Sequence, residues 1–252
     1  MFYIVDGTGP YSQEEYDLAM ARSFCWQLEV AFRKYPAKYV AGPGGMGGST
    51  YSMARSGADE IQEFRKTFGG GRKGSVRPLY LAGYSRGAAT VIQMAKFLDQ
   101  QIPKNEVQAM FLFDPVDRDV AIDGQGIPPN VKNVYVIYRD QAIEEVNLPW
   151  KPNYGYGQLP DKDIYARKWM GNCSVNPIDP NKTNVATALI KNASHGAAGG
   201  SPWTNRRADE AATIAAANKM NEFLMKEGLE GVLKCKSKFD HHKSPAAHQI
   251  GR

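Results

Sequence analysis

The sequence predicts an α/β protein: an open, mainly parallel sheet with helices on both faces. Two observations carry this. Short apolar runs of strand type alternate with helical-period segments through the first 140 or so residues, and such alternation closes into parallel crossovers. No repeat of fixed period and no sustained heptad competes with that rhythm.

Phe2 to Val5 reads as a first strand, ended by Asp6-Gly7-Thr8-Gly9-Pro10. Ser12 and Glu15 form a capping box that opens a helix predicted to run to about Tyr35, before Pro36. Residues 38–41 are a short second strand, followed by a glycine-rich stretch, and a helix is expected over residues 58–68, stopped by Gly69-Gly70-Gly71. Residues 79–82 are a third strand. Ala88, Val91, Ile92, Ala95 and Leu98 then share one face of the next helix. Residues 109–113 and 134–138 are the fourth and fifth strands. From 141 to 192 the pattern fades into Pro, Asn, Tyr and Trp, including Trp150, Tyr154, Tyr156, Tyr165 and Trp169. That segment is a candidate lid or substrate wall, with an irregular connection as the plainer reading. Residues 206–228 form a terminal helix with Gly228 as its stop.

With 252 residues, 42% hydrophobic and 23% charged, the chain has the composition of one globular domain with a sizeable core. No apolar run approaches the roughly 18 residues of a membrane span. Met1 to Val5 has no basic lead and meets Asp6 too early for a cleaved signal peptide, so a cytoplasmic protein, or one exported without such a peptide, is expected. Cys25, Cys173 and Cys235 are odd in number and widely spaced, which points to neither a disulfide framework nor a zinc site.

Ligands of such sheets sit at the carboxyl ends of the strands, and the most specific signal lies there. Gly83-Tyr84-Ser85-Arg86-Gly87 directly follows the third strand and opens a helix, which is the setting of a nucleophile elbow. As a bare pattern it is only a turn; its context makes Ser85 a candidate nucleophile. The N–H of Arg86, at the helix start, is placed to donate to an oxyanion. A second donor belongs in the loop after an earlier strand, and Gly7 or Thr8 fits.

A serine needs a base, usually histidine. His241, His242 and His248 lie in the presumed tail, leaving His195, in a small-residue loop. The plainer reading of His195 is an exposed loop side chain. Chain order places the acid between serine and histidine. Asp140 follows the fifth strand and is favoured, Asp114 follows the fourth, and Asp117, Asp161, Asp163 and Asp179 remain.

Asp6-Gly7-Thr8, residues 39–48, the Gly-Tyr-Ser-Arg-Gly-Ala elbow of 83–88, residues 113–116 and His195 with Gly199-Gly200 occur in an order that resembles one group. It is the α/β-hydrolase family that includes the type VI secretion phospholipase effectors. The resemblance spans about residues 1–200. It implies an α/β-hydrolase fold and ester hydrolysis on lipids, with Ser85, an Asp and His195 as triad, and it supports Asp140. The chain departs from the family at Ala197, where an acidic residue is usual, and at Asp140-Gln141-Ala142-Ile143, where Asp-Glu-x-Arg is usual.

The expected organisation is therefore a hydrolase domain over 1–231 and a basic, flexible tail over 232–252. The expected function is a serine hydrolase of carboxylic esters, lipid or acyl, needing no metal or cofactor. An amidase or peptidase with the same triad, or a binding protein on a hydrolase scaffold, are the alternatives. Of the net charge of +5, the tail supplies +4 through Lys234, Lys236, Lys238, Lys243 and Arg252 against Asp240. The nearly neutral body gives no reason to expect nucleic acid. The tail allows transient contact with a membrane surface.

Overall fold

A computed structural model describes residues 1–9, 13–43, 49–69, 77–117, 119, 121–122, 124, 126–139, 175–201 and 207–235. The elements run β1 (Phe2–Val5), α1 (Gln13–Met20), α2 (Phe24–Phe32), β2 (Ala37–Val40), α3 (Thr50–Gly69), β3 (Tyr80–Tyr84), α4 (Arg86–Gln100), β4 (Val107–Phe113), β5 (Gly126–Ile127), β6 (Val131–Arg139), β7 (Asn176–Pro177), β8 (Asn184–Ile190), α5 (His195–Ala198) and α6 (Arg207–Lys226). Six strands form one sheet in the order β2-β1-β3-β4-β6-β8. Every neighbouring pair is parallel. β5 and β7 pair separately.

The alternation of side chains along each strand divides the interior into two layers. In β4, Val107, Met110 and Leu112 join Ala54, Ala58 and Ile61 of α3 and the inner face of α4. Ala109, Phe111 and Phe113 instead meet α2, α5 and α6 through Phe24, Leu28, Ala197, Met220 and Phe223. Both faces are thus covered, as the sequence predicts, and the arrangement is the α/β-hydrolase fold. On the second face a run of rings crosses the sheet: Phe2 stacks on Tyr80 at 4.8 Å, Phe111 on Tyr135 at 5.6 Å and Tyr135 on Phe223 at 4.9 Å. Each such ring contributes about 1.5–3 kcal/mol by its burial.

Chain direction across the sheet reverses at β1. The chain leaves β1 for β2 on one side, then returns to β3 on the other. The loops after β1 and β3 diverge there, opening the crevice in which open α/β sheets bind ligands.

Three expectations are corrected. The first helix is broken at Ser23, which caps α2 by accepting from the Trp26 N–H at 2.9 Å. The cap competes with helix continuation because Ser23 also has a buried partner in Asp6. Ser12 and the Glu15 side chain lie outside the described residues. α3 begins at Thr50, ahead of the expected start at 58. β8 lies in the stretch read as irregular, at the edge of the sheet with an alternating exposed pattern. Most of the candidate lid lies outside the described residues. No described helix is long and apolar enough to cross a membrane.

The elbow glycines are dictated by close approach. A Cβ on Gly83 would lie 2.6 Å from the Ala88 Cα, and one on Gly87 would lie 2.2 Å from the carbonyl oxygens of Val5 and Asp6. These are backbone atoms, of α4 in the one case and of the end of β1 in the other. Gly87→Ala is therefore expected to cost at least about 1–3 kcal/mol, seen as a lowered thermal unfolding midpoint; an unchanged midpoint would show that α4 and β1 are not held this closely.

Candidate active site

Ser85 sits between β3 and α4 with φ 56° and ψ −125°, and Asp114, directly after β4, has φ 40°. Neither residue type adopts such a backbone without cost, of order 1–3 kcal/mol. The surrounding ladder imposes it. Ser85 N–H donates to Phe113 O at 3.0 Å, Val116 N–H returns to Ser85 O at 3.1 Å, and Asp114 N–H donates to Ile137 O at 2.7 Å. The ends of β3, β4 and β6 are stitched together at the two strained residues.

His195 arrives from the other side of the sheet, on the short helix α5. Ser194 caps α5 by accepting from Ala197 N–H at 3.0 Å, and its own N–H donates to Asp209 of α6 at 3.0 Å. Tyr84 lies against the imidazole with ring centroids 4.9 Å apart and donates its hydroxyl to the His195 backbone carbonyl at 3.1 Å.

These supports bring three side chains into line. Ser85 Oγ–H donates to His195 Nε2 at 2.7 Å, and His195 Nδ1–H donates to Asp114 Oδ2 at 2.7 Å. Ser85 and His195 are the two residues that the sequence singles out. The carboxylate on His195 is that of Asp114; the favoured Asp140 lies outside the described residues. Arg139, the last residue of β6, turns its guanidinium toward Asp114, with Nε 3.4 Å from Oδ2. Asp117 turns its carboxylate into its own loop, accepting from Asp119 and Gly124 N–H, and Asp179 does the same with Asn181. Asp161 and Asp163 lie outside the described residues.

The charge states suit a neutral base beside an ionised acid. Burial pushes the Asp114 carboxyl up, yet Arg139, His195 and the Arg139 N–H outweigh it and hold the group below the usual carboxylate range. Burial lowers His195 first; Asp114 opposes this and Arg139 adds to it, so the imidazole sits below its ordinary 6.5.

Arg86 opens α4, so its N–H belongs to the first helical turn, where donors lack helical acceptors. Gly7 is the other expected donor. Its N–H donates to Asp6 Oδ1 at 2.7 Å and is committed there, while its Cα lies against Tyr84 and Ser85. Of the two loop candidates, Thr8 remains.

One cluster was missed in the sequence, where Asp6 read as part of a turn. Asp6 is fully buried. Its Oδ2 accepts from Tyr39 OH at 2.8 Å and from the Ser23 hydroxyl. Tyr16 OH donates to Gly7 O at 2.6 Å and accepts from Gly42 N–H at 2.6 Å. The loop beside Ser85 is thus pinned by α1, α2 and β2. The readable signal was a carboxylate directly after a buried strand with hydroxyl-bearing residues nearby. Among the described residues no group of three or more His, Cys, Asp or Glu is arranged to hold a metal.

No family model matches the chain. No curated protein matches it either. Solved structures do. It is similar to a protein from Lactobacillus plantarum WCFS1 named as a cell surface hydrolase, with 7% identity over 89% of this chain and 91% of that one and a TM-score of 0.47. It is similar to Est1E from Butyrivibrio proteoclasticus at 11% identity, over 90% and 87%, with a TM-score of 0.40. A serine hydrolase without a lid from Xanthomonas campestris shares 16% identity over 88% and 82%, with a TM-score of 0.39.

Asp6 has a pH signature of its own. Burial pushes its pKa up to about 6 from 3.8, against the lowering action of its three hydrogen-bond donors. Its folded value is raised, so the stability it lends is complete below pH 3.8 and is lost as pH rises through about 6. The loss amounts to roughly 3 kcal/mol at 1.36 kcal/mol per pKa unit. Asp6→Asn removes the titration, so the variant's unfolding midpoint, measured against wild type, is expected to improve between about pH 4 and pH 7. A constant gap across that range would mean that Asp6 does not titrate in the folded protein.

Proposed function

We propose that the chain is a serine hydrolase of carboxylic esters, with Ser85 as nucleophile, His195 as general base and Asp114 as the orienting acid. The observation that carries this is the continuous hydrogen-bonded line Ser85–His195–Asp114, 2.7 Å at each step, at the crevice where the sheet changes direction. A serine on a sharp strand-to-helix turn at the sheet's edge supports this reading.

The chemistry follows from the geometry. Ser85 Oγ attacks the ester carbonyl carbon as its proton passes to His195 Nε2, and Asp114 stabilises the imidazolium. The tetrahedral oxyanion is held by the Arg86 N–H and by Thr8 of the β1 loop. The proton then passes from Nε2 to the leaving alkoxide, giving an acyl-enzyme and an alcohol. Water, deprotonated by His195, attacks the acyl carbon and releases the acid with Ser85 restored. The resemblance seen in the sequence favours lipid or acyl esters, and the basic end of the chain favours approach to an anionic surface.

Hydrolysis of short p-nitrophenyl esters tests the assignment. Ser85→Ala is expected to abolish turnover with the fold intact by circular dichroism. Asp114→Asn should lower kcat by about 10⁴, whereas Asp140→Asn should stay within about twofold of wild type. Equal rates for wild type and Ser85→Ala would refute the proposal, and a large loss at Asp140 with none at Asp114 would return the acid to Asp140.

A further inference from the structure

Arg139 is a fully buried arginine whose charge the triad alone does not call for. It ends β6, in register with Ile190 of β8, and its strand neighbours Tyr135 and Ile137 face the layer that holds α5. Arg139 is 0% exposed, as is Asp114. It meets Asp114 twice: its backbone N–H donates to Oδ1 at 3.3 Å, and its Nε lies 3.4 Å from Oδ2, the oxygen that accepts from His195. Neither Nη1 nor Nη2 has a hydrogen-bond partner among the described residues. Among those residues Asp114 is its only ion-pair partner.

Burying a guanidinium whose three nitrogens make no hydrogen bond among the described residues, Nε meeting Asp114 through charge alone, costs several kcal/mol, so the fold alone would favour an apolar residue here. What the charge supplies is a fixed cation behind the acid. Arginine stays protonated even when buried, unlike lysine.

We propose that Arg139 is a positioning residue of the active site, which holds Asp114 ionised and aligned on His195 and keeps the imidazole in its neutral, proton-accepting form. The groups that face His195 support this. Asp114 comes from β4, Arg139 from β6, Tyr84 and Ser85 from the end of β3, and Asp209 of α6 binds the N–H of the preceding Ser194. Asp114 favours the imidazolium; burial and Arg139 oppose it. With Arg139 in place the base works at lower pH than a lone Asp–His pair would allow. The catalytic meaning of this role rests on the serine-hydrolase reading, but the charge coupling itself does not.

Nitrogen-detected NMR titration of the imidazoles in the full-length protein separates the two. In wild type, His195 is expected to titrate below 6.5. Arg139→Gln should raise that value by about one unit or more, and Arg139→Lys, which keeps the cation, should stay within about half a unit of wild type. The acidic limb of kcat/KM for a p-nitrophenyl ester should move by the same amounts. A folded Arg139→Gln with His195 unmoved, or with kcat/KM reduced equally at all pH values, would reduce Arg139 to a structural role. If the Gln variant does not fold, the wild-type titration and the Lys variant decide: a wild-type value at or above 6.5, or a Lys variant shifted as far as a lost charge requires, overturns the proposal. Absence of esterase activity alongside the expected NMR shifts would overturn the hydrolase reading and leave the coupling standing.

Discussion

A single carboxylate oxygen, Asp114 Oδ2, organises the carboxyl end of the sheet. It accepts from His195 at 2.7 Å and faces the Arg139 guanidinium at 3.4 Å, so one atom links β4, β6 and the segment that follows β8. The site is buried, and there a charge is tolerated only with partners. Asp114 has two. Through His195 this constraint reaches Ser85, and the backbone strain at Ser85 and Asp114 is held by the same strand ends. The proposed chemistry therefore depends on the parallel register of the three strands, and not on loops alone.

A second buried carboxylate plays a different part. Among the described residues Asp6 forms no ion pair; Ser23, Tyr39 and the Gly7 N–H surround it with donors. These donors fix the β1 loop against the elbow and partly offset the rise in carboxyl pKa that burial causes. The two acids thus differ by environment: Asp114 is held ionised by charge, and Asp6 is held in place by neutral hydrogen bonds. One sets the base and the other sets the wall opposite it.

Much of this was legible in the residues, for identifiable reasons. Strand and helix periodicity placed β1, β3, β4 and β6, because each is a continuous apolar run, and the GxSxG context placed Ser85. His195 followed because the other three histidines cluster near the chain end. The helix break at Ser23 was not legible, since the periodicity of 13–32 is helical throughout and only the tertiary bond to Asp6 stops it. β8 was hidden because an edge strand with an exposed face lacks a buried strand's apolar run. The choice of acid stayed open for a related reason. Asp114 and Asp140 both follow strands, and sequence spacing does not say which strand end His195 returns to. Arg139 was invisible for the opposite reason: an arginine at a strand end ordinarily reads as solvated, and only burial reveals its role.

The central claim is that Ser85 is an activated nucleophile. Treatment of the full-length protein with a fluorophosphonate, followed by peptide mass spectrometry, tests it most directly, because only a serine whose proton is being withdrawn reacts with such a probe at useful rates. The account predicts a single adduct on Ser85 in wild type, and none in a His195→Ala variant. An unmodified Ser85 in folded wild-type protein, or labelling that persists without His195, would contradict it.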